Sequence, residues 1–426
     1  MKSFFKIIGT LLLLLILAGG IFFAIKNEAL PIGEQGIEAD ALATKMLKAM
    51  DVEAFKSTEI LEWNFRNKHH YKWFKNNDSV LVSWGGNKVL LNLKNPHKSS
   101  VSVNTKKETD SELIETATAY FNNDSFWLVA PYKVFDQGTE RRIVKQEGKA
   151  SLLVTYTSGG TTPGDSYLWK LDENGMPISF KMWVDIIPVG GIEASWDQLK
   201  MTQSGIQLPT SHTLSLFGMQ LAIGAIAAYN PNADQLAKEV LKAIHHEAYQ
   251  ETTHLEWSFG GRRFYNWNKR DHIVSVRWDS IQVVLHPNDI EKSSLFINTK
   301  STLSKKEELI TQAMHYFNND SFWLVGPHKL FEKGIQRSIR KENEQNALYV
   351  KYTTGGSTPG DAYLWILDEN HLPKSFKMYV PSMKMEGISA TWDDWIKTES
   401  GTLLPTNHSF GKGRILNMGN VKGTRQ

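Results

Sequence analysis

The chain is 426 residues long, enough for two or three domains, and carries 48 Lys and Arg against 45 Asp and Glu. A net charge of +3 gives no footing for a nucleic-acid or polyanion binder, and 41% apolar residues exclude a largely disordered chain. The absence of cysteine excludes a disulfide scaffold, a Cys-ligated metal, a thiol nucleophile and an acylated lipoprotein N-terminus.

Lys2 and Lys6 precede an uncharged run from Ile7 to Ile25, closed by Lys26. At about 1.5 Å per residue the run spans roughly 28 Å, close to the hydrocarbon core of a bilayer. Residues 1–26 therefore read as a membrane anchor, with the span at residues 7–25, or as a secretory signal cut after Ala18-Gly19-Gly20. The apolar Ile21–Ile25 beyond that cut favours the anchor. Under either reading Lys2 and Lys6 stay cytoplasmic, so the expectation is a cell-envelope protein of the inner membrane with residues 27–426 on the extracytoplasmic side.

The remainder is one unit written twice. Phe121–Val129 recurs unchanged as Phe317–Val325, an offset of 196, while Trp63, Trp73 and Trp84 recur as Trp257, Trp267 and Trp278, an offset of 194. The repeat is far longer than a solenoid period, so each copy should be a domain. The expected plan is a linker at 27–37, a first unit at 38–226 and a second at 227–426.

In chain order, Asp40 and Asp234 are expected to open helices carrying Leu42, Met46 and Met50, or Leu236, Val240 and Ile244. Period-two alternation follows, as in Leu61, Trp63 and Phe65 around Glu62 and Asn64, which predicts antiparallel strands with one buried face. Thr109-x-x-Glu112 and Ser304-x-x-Glu307 are capping-box patterns before a second helix. Asn122-Asn123-Asp124 and Asn318-Asn319-Asp320 read as the C-caps of those helices, with strands starting near Trp127 and Trp323. The loops GGTTPGD (Gly159–Asp165) and GGSTPGD (Gly355–Asp361) read as hairpin turns, since no Lys follows to make a phosphate loop. The expected fold is α+β and mainly β: two tandem curved antiparallel sheets, incomplete barrels, each wrapped over helices, plus the N-terminal transmembrane helix.

Phe126–Thr139 (FWLVAPYKVFDQGT) and Gly159–Pro177 (GGTTPGDSYLWKLDENGMP), with this element order, resemble exported proteins of the lipoprotein-localisation carrier (LolA/LolB-like) superfamily. The resemblance covers one unit at a time. It implies an incomplete barrel closed by helices, whose apolar cavity holds acyl chains. The chain departs from those carriers in being tandem, free of cysteine and helix-anchored.

Candidate cavity residues are Trp63, Trp73, Trp84, Trp127 and Trp169, with Trp257, Trp267, Trp278, Trp323 and Trp365 in the second copy. Inward aromatics equally make a filled core. Lys133, Arg141, Lys329 and Arg337 are candidates for a lipid headgroup or an acidic partner, with a surface ion pair beside Asp136 or Glu332 as the alternative. His212 and His408 occupy equal positions in the copies, but no G-x-S-x-G, H-E-x-x-H or paired metal spacing accompanies them. The sequence thus points to no catalytic residues, no metal, no cofactor and no nucleic acid. The expected activity is non-enzymatic binding of a lipid or lipoprotein; the alternative is a structural or partner-binding envelope protein with filled cores.

Overall fold

The computed structural model describes residues 26–146, 148–158, 163–301, 306–354, 359–411 and 413–425. The run Ile7–Ile25, Ser304 and most of both glycine loops lie outside these residues. Among the described residues no helix is long and apolar enough to cross a membrane. The chain divides into two compact units between Tyr229 and Asn230.

In the first unit, α1 (Ile37–Ala49) and α2 (Val52–Ser57) precede a meander of β1 (Ile60–Phe65), β2 (His69–Phe74), β3 (Ser79–Trp84), β4 (Asn87–Asn92), β5 (Ser100–Val103) and β6 (Lys106–Glu108). The long α3 (Ser111–Val129) follows. A second meander runs through β7 (Thr139–Gln146), β8 (Lys149–Tyr156), β9 (Ser166–Leu171), β10 (Pro177–Trp183) and β11 (Ile192–Ser195). After the hairpin β12 (Leu199–Met201) and β13 (Gln207–Pro209), β14 (Ser211–Thr213) and β15 (Gln220–Tyr229) return to the first sheet, whose order is β14-β15-β1-β2-β3-β4-β5-β6.

The second unit repeats the plan. It has α4 (Pro231–Ala243), α5 (His246–Glu251), β16 (His254–Phe259), β17 (Arg263–Asn268), β18 (Ile273–Trp278), β19 (Ile281–Leu285), β20 (Ser294–Ile297), β21 (Lys300–Ser301) and α6 (Lys306–Val325). There follow β22 (Ile335–Glu342), β23 (Gln345–Tyr352), β24 (Ala362–Leu367), β25 (Pro373–Val380), β26 (Met385–Thr391), β27 (Asp393–Lys397), β28 (Leu403–Phe410), β29 (Arg414–Asn417) and β30 (Lys422–Thr424). One sheet runs β21-β20-β19-β18-β17-β16-β30; the other runs β22-β23-β24-β25-β26-β28-β27, with β29 paired to β28. The protein is therefore mainly antiparallel β with a few helices.

The alternation produces the strands as expected. In β1, Leu61, Trp63 and Phe65 are buried, and Trp63 faces Tyr71 across β2 while Leu61 faces Trp73. Four expectations are corrected. The strands of each unit divide between two main sheets instead of forming one. Asn122-Asn123-Asp124 does not end a helix, nor does a strand start at Trp127: α3 continues to Val129, and α6 likewise to Val325. The buried stripe Ala117, Phe121, Asp124, Ser125 and Leu128 keeps helical spacing through the asparagines, so packing overrides their capping tendency. The α3 N-cap is Asp110, not Thr109; its carboxylate accepts from Glu112 N at 2.9 Å and Leu113 N at 3.1 Å. Finally, α1 and α4 open at Ile37 and Pro231, ahead of Asp40 and Asp234.

Candidate functional site

The long helix of each unit has aromatic residues facing both main sheets. On α3, Tyr120 and Phe121 meet the first sheet: Trp73 packs edge-on to Phe121 at 5.2 Å and Trp84 to Tyr120 at 5.5 Å. Phe126 and Trp127 meet the second, with Tyr167 at 4.2 Å and Phe180 at 5.8 Å. The second unit repeats this packing, with Trp267 to Phe317 at 5.1 Å, Trp278 to Tyr316 at 5.5 Å and Trp323 to Phe376 at 5.7 Å.

The structure places the ten candidate tryptophans in these layers. Trp63, Trp169, Trp257, Trp278 and Trp365 are buried, and Trp73, Trp84, Trp127, Trp267 and Trp323 are partly buried against the same cores. Sequence reasoning missed Trp196 and Trp392. They lie just beyond β11 and β26, and each stands edge-on to its neighbour: Trp196 to Trp169 at 5.2 Å, Trp392 to Trp365 at 6.0 Å. Their matched offset of 196 was the available signal.

These rings carry a polar anomaly. Nε1 of Trp63, Trp169 and Trp196, and of their counterparts Trp257, Trp365 and Trp392, is buried without a hydrogen-bond partner among the described residues. A buried donor left unmet costs about 1–3 kcal/mol, so such groups are uncommon. Its recurrence at three equivalent positions ties it to the shared sequence and not to one local accident.

The helix middle supplies a buried carboxylate. Asp124 accepts from Tyr71 OH at 2.6 Å and lies 2.7 Å from His69 Nδ1, while Asp320 accepts from Tyr265 OH at 2.5 Å and from Arg263 Nε at 2.5 Å. Each Asp also accepts its preceding Asn side chain at 2.8 Å. Burial, then the adjacent carboxylate, pushes both tyrosines well above the ordinary phenol range. The histidine of one copy is an arginine in the other, so what the copies share is a carboxylate pinned to strand two by a tyrosine and a basic side chain.

His212 and His408 are fully buried, among main-chain carbonyls. His212 Nδ1 lies 2.7 Å from Ser195 O and Nε2 2.7 Å from Trp127 O; His408 Nδ1 lies 2.8 Å from Thr391 O. Burial lowers both, His408 to about 4. Asp165 accepts from Asp185 N at 3.2 Å and from Tyr167 OH at 3.3 Å.

Arg141 and Arg337 turn inward. Arg141 Nε donates to Asp40 at 2.6 Å and Nη1 to Val134 O at 2.9 Å; Arg337 Nε donates to Asp234 at 2.7 Å and Nη1 to Leu330 O at 2.6 Å. Their guanidinium groups thus tie the first helix of each unit to its second sheet. Lys133 and Lys329 stay near the surface beside Asp136 at 3.4 Å and Glu332 at 3.9 Å.

In the second unit two histidines distant in the chain meet. His328 stacks on Tyr249 at 4.2 Å and lies 3.3 Å from His246, Nδ1 to Nδ1. Burial pushes His328 down to about 3. By the same offsets, the first unit has Tyr132, Phe55 and Val52 there. Among the described residues no group of three or more His, Cys, Asp or Glu is placed to hold a metal.

No family model matches the chain. No curated protein matches it either. Among solved structures it is distantly similar to a DUF1329 family protein from Desulfovibrio piger, at 9% identity and a TM-score of 0.26, over 44% of this chain and 92% of that one. So remote a likeness assigns no activity.

Proposed function

We propose that the chain is an exported, membrane-anchored, non-enzymatic module that binds a lipid, or the acyl chains of a lipoprotein, between the sheets and long helix of each unit. In this reading the paired sheets act as incomplete barrels wrapped over their helices. The observation that carries it is the trio of buried, unpartnered indole N–H groups in each unit. A ligand that joins an apolar chain to ester or carboxylate oxygens would supply both the acceptors and the apolar surface. Burial of the chain at about 25 cal/mol per Å² provides the driving force. Because Phe121 and Trp127 lie against sheet rings, entry requires α3 to move away from them.

Native mass spectrometry of the full chain, extracted in mild detergent, tests this. Adducts of phospholipid or fatty-acid mass that persist through delipidation are expected. Bare protein mass, together with no binding of a fluorescent long-chain fatty acid, overturns the reading.

The ring contacts favour a second reading. Trp73 on Phe121 at 5.2 Å and Phe126 on Tyr167 at 4.2 Å are spacings of a filled aromatic core. The units would then be structural or partner-binding, and the same spectra would contain protein alone.

A further inference from the structure

The residues that follow the uncharged run are clasped to the first unit. Glu28 N donates to Gly190 O at 3.0 Å, and Gly190 N donates to Asn27 Oδ1 at 2.8 Å. Trp183 Nε1 donates to Glu28 O at 2.8 Å, and Lys181 Nζ pairs with the Glu28 carboxylate at 2.6 Å. The approach requires glycine: a Cβ on Gly190 would fall 2.4 Å from Trp183 Cδ1 and 2.7 Å from Glu28 O. Residues 27–37, expected to be a linker, are thus bonded to the unit here and again where Glu34 bridges Ile143.

Among the described residues, the second unit has no such clasp at the equivalent place. Gly190 corresponds to Glu386, and Lys377, the counterpart of Lys181, pairs with Glu342 at 2.6 Å. The loops differ in polarity as well. Ile186-Ile187-Pro188-Val189 stands where the second unit has Ser382-Met383-Lys384-Met385. Ile186 is 72% exposed at the tip, and Ile32, along the clasped segment, is 97% exposed. Four residues span at most about 14 Å, so the Ile186 tip lies close to where the chain leaves the uncharged run.

We propose that this clasp seats the first unit on the bilayer, with the Ile186 loop immersed in the lipid interface and Trp183 at headgroup level. The inference rests on the anchor reading of residues 7–25. Exposed aliphatic side chains beside an anchor bury their surface by entering the acyl boundary, and Trp is favoured at that depth. Asp185 sets the limit of immersion, since a carboxylate stays with the headgroups. The second unit, with Lys384 in its loop, has no such contact.

Because the chain has no cysteine, a single nitroxide label reports depth without background. The full chain carrying Ile186→Cys, and separately Met383→Cys, is reconstituted into phosphatidylethanolamine/phosphatidylglycerol vesicles. The label at 186 is expected to be accessible to oxygen and shielded several-fold from an aqueous nickel reagent, with the reverse at 383. Adding Gly190→Glu to the 186 variant is expected to return the label to water while the protein still floats with the vesicles. A chain that floats but has equal nickel access at both labels overturns the proposal and leaves the anchor intact. A 186 label still shielded in the Gly190→Glu variant overturns the role of the clasp. A chain that does not float overturns the anchor, and the proposal with it.

Discussion

Asp124 and Asp320 show how one residue type serves two neighbours. Both sit mid-helix, buried, and both hold a strand-two tyrosine, but the basic partner is His69 in one unit and Arg263 in the other. Arg263 makes two hydrogen bonds to its carboxylate, from Nε and Nη2, and keeps its charge when that carboxylate is removed, whereas His69 makes one contact through Nδ1. Asp320→Ala is therefore expected to lower stability by about 2–3 kcal/mol, and Asp124→Ala by less. Chemical denaturation of the two variants measures the difference; equal losses would mean that the arginine contributes no more than the histidine.

At the scale of elements, the strands were the legible part. Trp63 and Tyr71 face each other because alternation fixes which side each residue occupies. The long helices were misjudged because Asn and Asp favour caps locally, while here the stripe through Phe121, Asp124 and Leu128 decides. The split into two sheets was not legible, since Tyr229 pairs with Ile60 across most of the unit and periodicity carries no information on partners. The candidate site was legible in part: the tryptophans of the two copies were visible as matched pairs, but their unpartnered N–H groups were not. One helix end offers a direct check. Asp110→Ala removes the N-terminal side-chain cap of α3 and should destabilise the first unit by about 1 kcal/mol in chemical denaturation. A cap acting from Thr109 instead would leave that variant near wild type.

For the whole molecule, the two units should respond differently to acid. His328 and His408 have folded values of about 3 and 4, below the ordinary 6.5 of an exposed histidine. The unfolded chain binds their protons first as pH falls. Stability is therefore complete above about 6.5 and declines toward pH 3 to 4. The first unit has the buried His212 but Tyr132 and Val52 in place of the histidine pair. Calorimetry at pH 7 and pH 5 should show the second unit's transition moving down further. His328→Tyr, the first unit's residue, should reduce that shift, and an unchanged shift would locate the acid sensitivity elsewhere.

The amino-acid sequence determined the duplication, the alternating strands and the matched aromatic rows, because each is written in spacing that neighbouring residues share. Tertiary structure decided the rest. It set which strands pair, turned Arg141 and Arg337 inward, buried Asp124 and Asp320 in mid-helix, and clasped Glu28 to Gly190. Those outcomes depend on side chains distant in the chain meeting at hydrogen-bond range, and local pattern does not specify such meetings.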